Sequence, residues 1–417
     1  MREAQEWIEA DGLGGFASGT AAGIRTRRYH ALLLAADTPP TGRHVLVNGV
    51  ECWVQTPTGS VALSSQRYAP DVVHPDGVSR IVEFAHEPWP RWTYRLDDGT
   101  EIEHEIIATY GAPSVLLRWT LRGTSPGITL FVRPLLSGRD THALHRENAS
   151  FRFEPQARGS ELLWTPYDGV PQIAIQTNGT YSHDPQWYRN FLYTEEAARG
   201  LDSIEDLATP GVFAFTLSPR PNDAAAEALV LLSARGEASG GGNSSGRSDA
   251  QETVEVSARR LRLTEERRRQ RFPSALHRAA DAYIVRRGNG KTIVAGYPWF
   301  SDWGRDTFIA LRGLAIASDR LDDARRILLE WAGAVSRGML PNFFPESGQA
   351  AEFNAVDASL WYIVAVHELR EALDRNGSRL EDDEESALDR AVQQILSGYA
   401  GGTRFGIRLD DDGLLAA

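Results

Sequence analysis

Ala295–Leu314 reads AGYPWFSDWGRDTFIALRGL, and its reading decides how the rest of the chain is parsed. Tyr297, Trp299, Phe300 and Trp303 crowd together with Asp302, Asp306 and Arg305. Phe308, Ile309, Leu311 and Leu314 then recur at helical spacing. A loop broken by Gly and Pro therefore runs into a helix start, with its polar groups at the junction. Aromatic rings can cover the apolar C–H faces of a sugar, while carboxylate and guanidinium groups hydrogen-bond its hydroxyls. The plainer reading is a buried aromatic cluster, with Ser301 or Asp302 capping the helix and an Arg–Asp surface pair. So many such groups in one loop favour a binding role.

Downstream, GMLPNFFPESGQAAEFNAVDASLWY (338–362) repeats the arrangement. A second broken aromatic loop enters a helix at Asp357, with Trp361 one turn along and Glu346 and Glu352 in the loop. Alone, Asp357 reads as a helix cap. Two such loops at helix starts suggest a shared mouth. Glycosidic bond cleavage needs a protonated carboxyl and an ionised carboxylate across the sugar, and these acids are candidates for the first role. Burial among Phe343, Phe344, Phe353 and Trp361 would hold the Asp357 proton to higher pH, the sense acid catalysis needs.

Around these loops the periodicity is helical. Ala275–Arg286, Thr307–Ile316, Asp322–Val335, Asp357–Leu373 and Glu385–Tyr399 carry apolar residues three and four apart. No strand pattern is expected from Pro273 until Thr403–Leu409, so 273–417 reads as all-α, built of helical hairpins. Residues 1–235 read instead as short strands between turns such as Asp98-Gly99, Asn178-Gly179 and Pro75-Asp76-Gly77, an antiparallel sandwich. Between them, 236–272 reads as a Gly/Ser-rich linker and an Arg-dense, solvated linker helix.

Composition bounds the partners. The 417 residues carry 44 basic and 56 acidic side chains, a formal charge of −12, which disfavours nucleic acid and anionic membrane. Eleven Trp suit a neutral polysaccharide. Cys52 is the only cysteine, so neither an intrachain disulfide nor a Cys-based metal site is expected. With no apolar signal core and no membrane-length apolar run, the expected location is the cytoplasm, and the N-x-[ST] sequons carry no meaning there. No cofactor or metal is expected.

Several motifs are decoys. Gly123-Thr124-Ser125-Pro126-Gly127 matches a nucleophile elbow but lies between two strand-like runs, and reads as a hairpin loop. Gly290-Lys291-Thr292 lacks the first P-loop glycine, since position 285 is Val285. His142 and His145 have no nearby third ligand, and Asp410-Asp411-Asp412 lacks calcium-loop spacing.

The chain resembles the bacterial and archaeal glycogen debranching enzymes of the amylo-α-1,6-glucosidase type. The resemblance rests on EWIEADGLGGFASGTAAGIRTRRYHALLLAA, RYAPDVVHPDG, RPLLSGRDTHAL and WYRNFLYTEEAARGLDSIEDLATPG, and on the two loop–helix stretches above. It implies a β-sandwich joined to an (α/α)6 barrel of the glucoamylase-like type. It implies inverting hydrolysis of α-1,6-linked glucose at branch points of glycogen limit dextrin. By motif, Arg305 and Asp306 hold the terminal glucose. Trp299, Asp302, Trp303, Asn354 and Trp361 line the pocket. Asp357 is the general acid and Glu352 the reserve candidate. The family's chains continue past a GTRFGIRLDDDGLL-like stretch, so the barrel is expected to be partial here. The general base is then expected outside the chain, and the 417 residues alone are expected to hydrolyse nothing. Both helix starts should open on one end of the helical domain.

Overall fold

Alternating apolar residues in the first half bury one face of each strand, and two antiparallel sheets result. The computed structural model describes residues 5–57, 59–122, 127–217, 227–236, 252–343 and 350–417. The chain divides into two units. One comprises Met1–Asp11, Gly15–Asp37 and Arg43–Arg271, the other Gly12–Gly14, Thr38–Gly42 and Phe272–Ala417.

In the first unit, one sheet runs in the order Glu6–Ala10, Phe16–Thr20, Ala31–Thr38, Thr41–Thr56, Ile128–Asp140, Ile204–Leu217, Thr180–Leu192, Gln66–Tyr68 and Val72–His74, and Gly59–Ala62 pairs with Thr41–Thr56. The second sheet runs Gln156–Arg158, Glu161–Trp164, Gln172–Thr177, Glu227–Arg235, Ser114–Arg122, Glu101–Ala108, Arg91–Arg95 and Ile81–Ala85. Leu46, Val54, Leu130, Leu136 and Phe213 of the first sheet share a core with Ile102, Leu117, Trp119, Ile173 and Leu232 of the second. The stack Trp92–His104–Trp119, with ring centroids 5.5 and 4.3 Å apart, crosses three neighbouring strands.

The apolar runs in the sequence, among them His44–Val47, Val50–Val54 and Ser150–Glu154, predict strands, and the structure matches most of these runs. Ser150–Glu154 forms no strand. Glu6–Ala10, Phe16–Thr20, Gly59–Ala62, Gln66–Tyr68, Val72–His74, Gln156–Arg158 and Thr180–Leu192 are strands that the reading passed over; Thr180–Leu192 is polar and largely open to solvent, so it carries no apolar run. His44–Val47 and Val50–Val54 are one strand, continuous through Asn48-Gly49. Residues 123–126 of the elbow-like motif lie outside the described residues. The two histidines stay within the fold. His142 Nδ1 meets the Tyr29 hydroxyl at 3.2 Å, and buried His145 meets Tyr167 at 2.6 Å.

The unit also holds the α-helices α1 (Thr194–Ala197) and α2 (Val254–Gln270). The Arg-dense helix α2 is not a solvated linker. Val254, Ala258 and Leu261 pack on Ile107, Leu116 and Leu229 of the second sheet and on Trp89 in the turn between two of its strands. Its arginines are held by rings and acids. Arg268 lies 4.3 Å over Tyr110, Arg262 and Arg269 lie over Trp89, and Arg269 pairs with Glu9. A basic run reads as solvated in sequence, but long Arg stems also cover apolar surface. Of the expected linker, 237–251 lie outside the described residues.

The second unit contains α3 (Ala275–Tyr283), α4 (Gly304–Leu311), α5 (Leu321–Ala332), α6 (Asp357–Arg375) and α7 (Asp382–Gly401). Phe308, Leu311, Ile327, Leu328, Trp331, Tyr362, Leu369, Leu388 and Ile395 form their shared core. Helix α4 passes directly into a π-helical turn, Arg312–Ile316. The all-α expectation needs correction. Ile284–Arg287, Gly290–Gly296 and Phe300–Asp302 form a three-stranded antiparallel sheet. Its signal is local: the Gly288-Asn289 turn joins IVRR to GKTIV, a two-residue hairpin between β-branched runs.

Candidate active site

The third strand of that small sheet carries Asp302 inward. Its side chain is 0% exposed and ion-paired with Arg287, whose guanidinium lies 5.8 Å over Trp331. Burial pushes the Asp302 pKa up, and the charge of Arg287 opposes that rise. Asp302 thus anchors the strand and is enclosed. It is not among the groups presented at the surface, contrary to the pocket-lining expectation. Arg287 was passed over because its segment reads as the end of a helix.

The next residue begins the exposed part. Trp303 bridges Phe343, and Phe343 bridges Glu352, in short antiparallel pairings. Gly304 N–H donates to Asn342 O at 2.6 Å, and Asn342 N–H to Glu352 O at 2.7 Å. The rings of Trp303 and Phe343 stack at 5.0 Å and 15°, with Phe300 edge-on to Trp303 at 5.7 Å. The two loops are therefore stitched side by side and present aromatic faces. Glu352 is exposed and accepts from Asn354 Nδ2 at 3.0 Å, so these two expected residues also meet.

Helices α4 and α6 start beside each other. A Cβ on Gly304 would fall 2.6 Å from Pro341 O and 3.6 Å from the Ala358 Cβ, so only glycine fits this approach. Both starts thus share one end of the unit, as expected. Their N-cap residues, Trp303 and Val356, make no side-chain cap bond. Asp306 and Asp357 are the acidic residues of the two first turns. Neither Ser301 nor Asp302 caps α4; both belong to the preceding strand.

Arg305 and Asp306 stand half-exposed, 47% and 43%, with Nε and Oδ2 3.9 Å apart. That loose pairing leaves both groups able to bind a third partner. Asp357 is half-buried at the first position of α6, and its side chain makes no hydrogen bond or ion pair with another described residue. The Tyr399 hydroxyl donates to the preceding carbonyl, Val356 O, at 2.6 Å and so pins the start of the helix. Trp361 packs on the helical core under the Arg312 guanidinium, 5.6 Å from its ring, and Arg312 is paired with Glu368. Phe353 lies under Arg404 at 3.9 Å. Trp299 is half-buried in the turn before Phe300. Phe344 and Glu346 lie outside the described residues.

A two-sheet antiparallel unit followed by a helical unit, with acids and stacked aromatics at paired helix starts, is the class this fold defines. Residues 5–222 match the family described as "Glycogen debranching enzyme N terminal", and residues 278–417 match "Amylo-alpha-1,6-glucosidase". The first match alone takes in more than half of the chain, and the chain belongs to the glycogen debranching enzyme family. A Saccharomyces cerevisiae protein named glycogen debranching enzyme is 29% identical over 143 residues, a match covering 28% of this chain and 9% of the yeast protein. A solved bacterial glucoamylase in complex with acarbose aligns with 96% of this chain and 68% of its own, at 12% identity and a TM-score of 0.43. Among the described residues no helix is long and apolar enough to cross a membrane.

Proposed function

We propose that this chain carries the glucose-gripping wall and the general acid of an inverting amylo-α-1,6-glucosidase acting on branch points of glycogen limit dextrin. Family membership supports the reading. The single observation that carries it is the meeting of the α4 and α6 starts at Gly304 and Ala358. Arg305 and Asp306 bind the outer hydroxyls of the terminal glucose, and Trp303 with Phe343 covers its apolar face. Asp357 gives its proton to the glycosidic oxygen, with Glu352 the reserve for that step. The base activates a water on the opposite face, roughly 6.5–9.5 Å from the acid, and no residue is proposed for it. Residues 1–235 serve as the N-terminal unit and 273–417 as the catalytic portion. The partner is glycogen in the cytoplasm, rather than nucleic acid or membrane.

The test is glucose release from limit dextrin and from linear maltooligosaccharide by the protein as expressed from its gene, with and without Asp357→Asn. Release from the branched substrate alone, abolished by the substitution, supports the reading. Preference for the linear substrate would make the protein a glucoamylase-like exo-α-glucosidase. Glycogen binding that survives Asp357→Asn, with no release from either substrate, would make it a glucan-binding module.

A further inference from the structure

A partly open cavity of about 80 Å³ lies between the two sheets of the first unit. Trp7, Trp92 and Trp119 form its aromatic walls, and Arg25 and Asn48 are its most telling polar groups. Arg25 is only 7% exposed, yet no hydrogen bond or ion pair joins its guanidinium to another described residue. Its Nε is buried without a partner, and its guanidinium lies over the Phe191 ring, 5.0 Å from the centroid. A guanidinium is charged at every working pH, and a buried charge without a partner is costly. Asn48 is 1% exposed. Its Nδ2 donates to Glu205 at 3.3 Å, while its Oδ1 is buried with no partner. Glu205 does not serve Arg25, being held by Arg139 and the Tyr193 hydroxyl. Gly49 makes the seat: a Cβ there would lie 2.1 Å from Arg25 Nη1.

We propose that this cavity binds a phosphate group. The cavity offers a fixed cation and, beside it, an acceptor that needs a donor. Phosphate supplies both complements, anionic oxygens for Arg25 and, as the monoanion, a P–OH for Asn48 Oδ1. Sulfate, fully ionised, supplies only the first. His104 also lines the cavity, but burial lowers its pKa to about 4, so it stays neutral near pH 7 and adds no charge. The volume suits a phosphate and its ester oxygen. The source is either free phosphate or the phosphate of a hexose phosphate whose sugar ring lies beyond the cavity.

The experiment is Trp fluorescence and thermal unfolding of the 417-residue chain titrated at pH 6.5 with inorganic phosphate, sulfate, a hexose phosphate and the free hexose, at constant ionic strength set with chloride. Saturable quenching and a raised Tm with phosphate, at least fivefold stronger than with sulfate, are expected. Arg25→Gln should weaken phosphate at least tenfold, and Asn48→Leu should remove the preference over sulfate. Because either variant could fold poorly, each is first compared with the parent by far-UV circular dichroism. If both misfold, Gly49→Ala, which displaces the guanidinium, takes their place with the same tenfold loss expected. Tighter binding of the hexose phosphate than of phosphate assigns the ester as the source; equal binding assigns free phosphate. Absence of a saturable phosphate response up to tens of millimolar, a response equal to that of sulfate, or a response to the free hexose alone overturns the proposal.

Discussion

Replacing Arg287 by Met isolates what anchors the aromatic mouth. The Asp302 side chain is wholly enclosed and Arg287 is 19% exposed, so the substitution leaves a buried carboxylate with its main countercharge gone. Breaking such a pair by removing one partner costs about 3–5 kcal/mol, and the partial exposure of Arg287 argues for about 3. At 25 °C that is a fall of roughly a hundredfold in the folded-to-unfolded ratio. The pH dependence has a definite sign. The Asp302 pKa is already raised in the folded chain and rises further without Arg287, so the folded state binds the proton more tightly than the unfolded state. The cost is therefore larger at pH 7 than at pH 5 and shrinks as pH falls toward the ordinary carboxylate value. Arg287→Met/Asp302→Asn removes the stranded charge and should recover most of the loss. The assay is urea unfolding at pH 7 and pH 5, with amide exchange across Gly290–Leu311 to assign the effect to this unit. A cost under about 1 kcal/mol at pH 7, equal costs at both pH values, or additive single and double variants would refute the anchoring argument.

Further outcomes follow from the same geometry. Gly304→Ala forces a Cβ to within 2.6 Å of Pro341 O, and should destabilise the second unit by about 1–3 kcal/mol as overpacking does, read as a lower urea midpoint. Trp303→Ala removes the stack on Phe343 and should weaken limit-dextrin binding about tenfold by calorimetry, with unchanged affinity counting against a sugar-facing platform. His104, with its pKa lowered to about 4 by burial, lets the unfolded chain take up a proton first, so the first unit should lose roughly 3 kcal/mol between pH 6.5 and pH 4. His104→Phe keeps a ring between Trp92 and Trp119, and urea titrations should show that part of the acid sensitivity gone.

The sequence alone determined the division into a strand-rich half and a helix-rich half, because burial repeats every second residue in one and every third or fourth in the other. It also marked both loop–helix junctions, since Trp, Asp, Arg, Gly and Pro at a change of period are visible without coordinates. Only the tertiary structure decided the rest, because those matters depend on partners distant in sequence. Asp302 and Asp306 are four residues apart and read alike. Arg287, brought across a hairpin, encloses the first, while the second stays at the surface. The arginines of α2 read as a solvated run until Trp89, Tyr110 and Glu9 are seen beneath them. The contact of Gly304 with Pro341 and Ala358 is a fact of packing between helices, and a glycine's reason for being small appears only when its neighbours are in place.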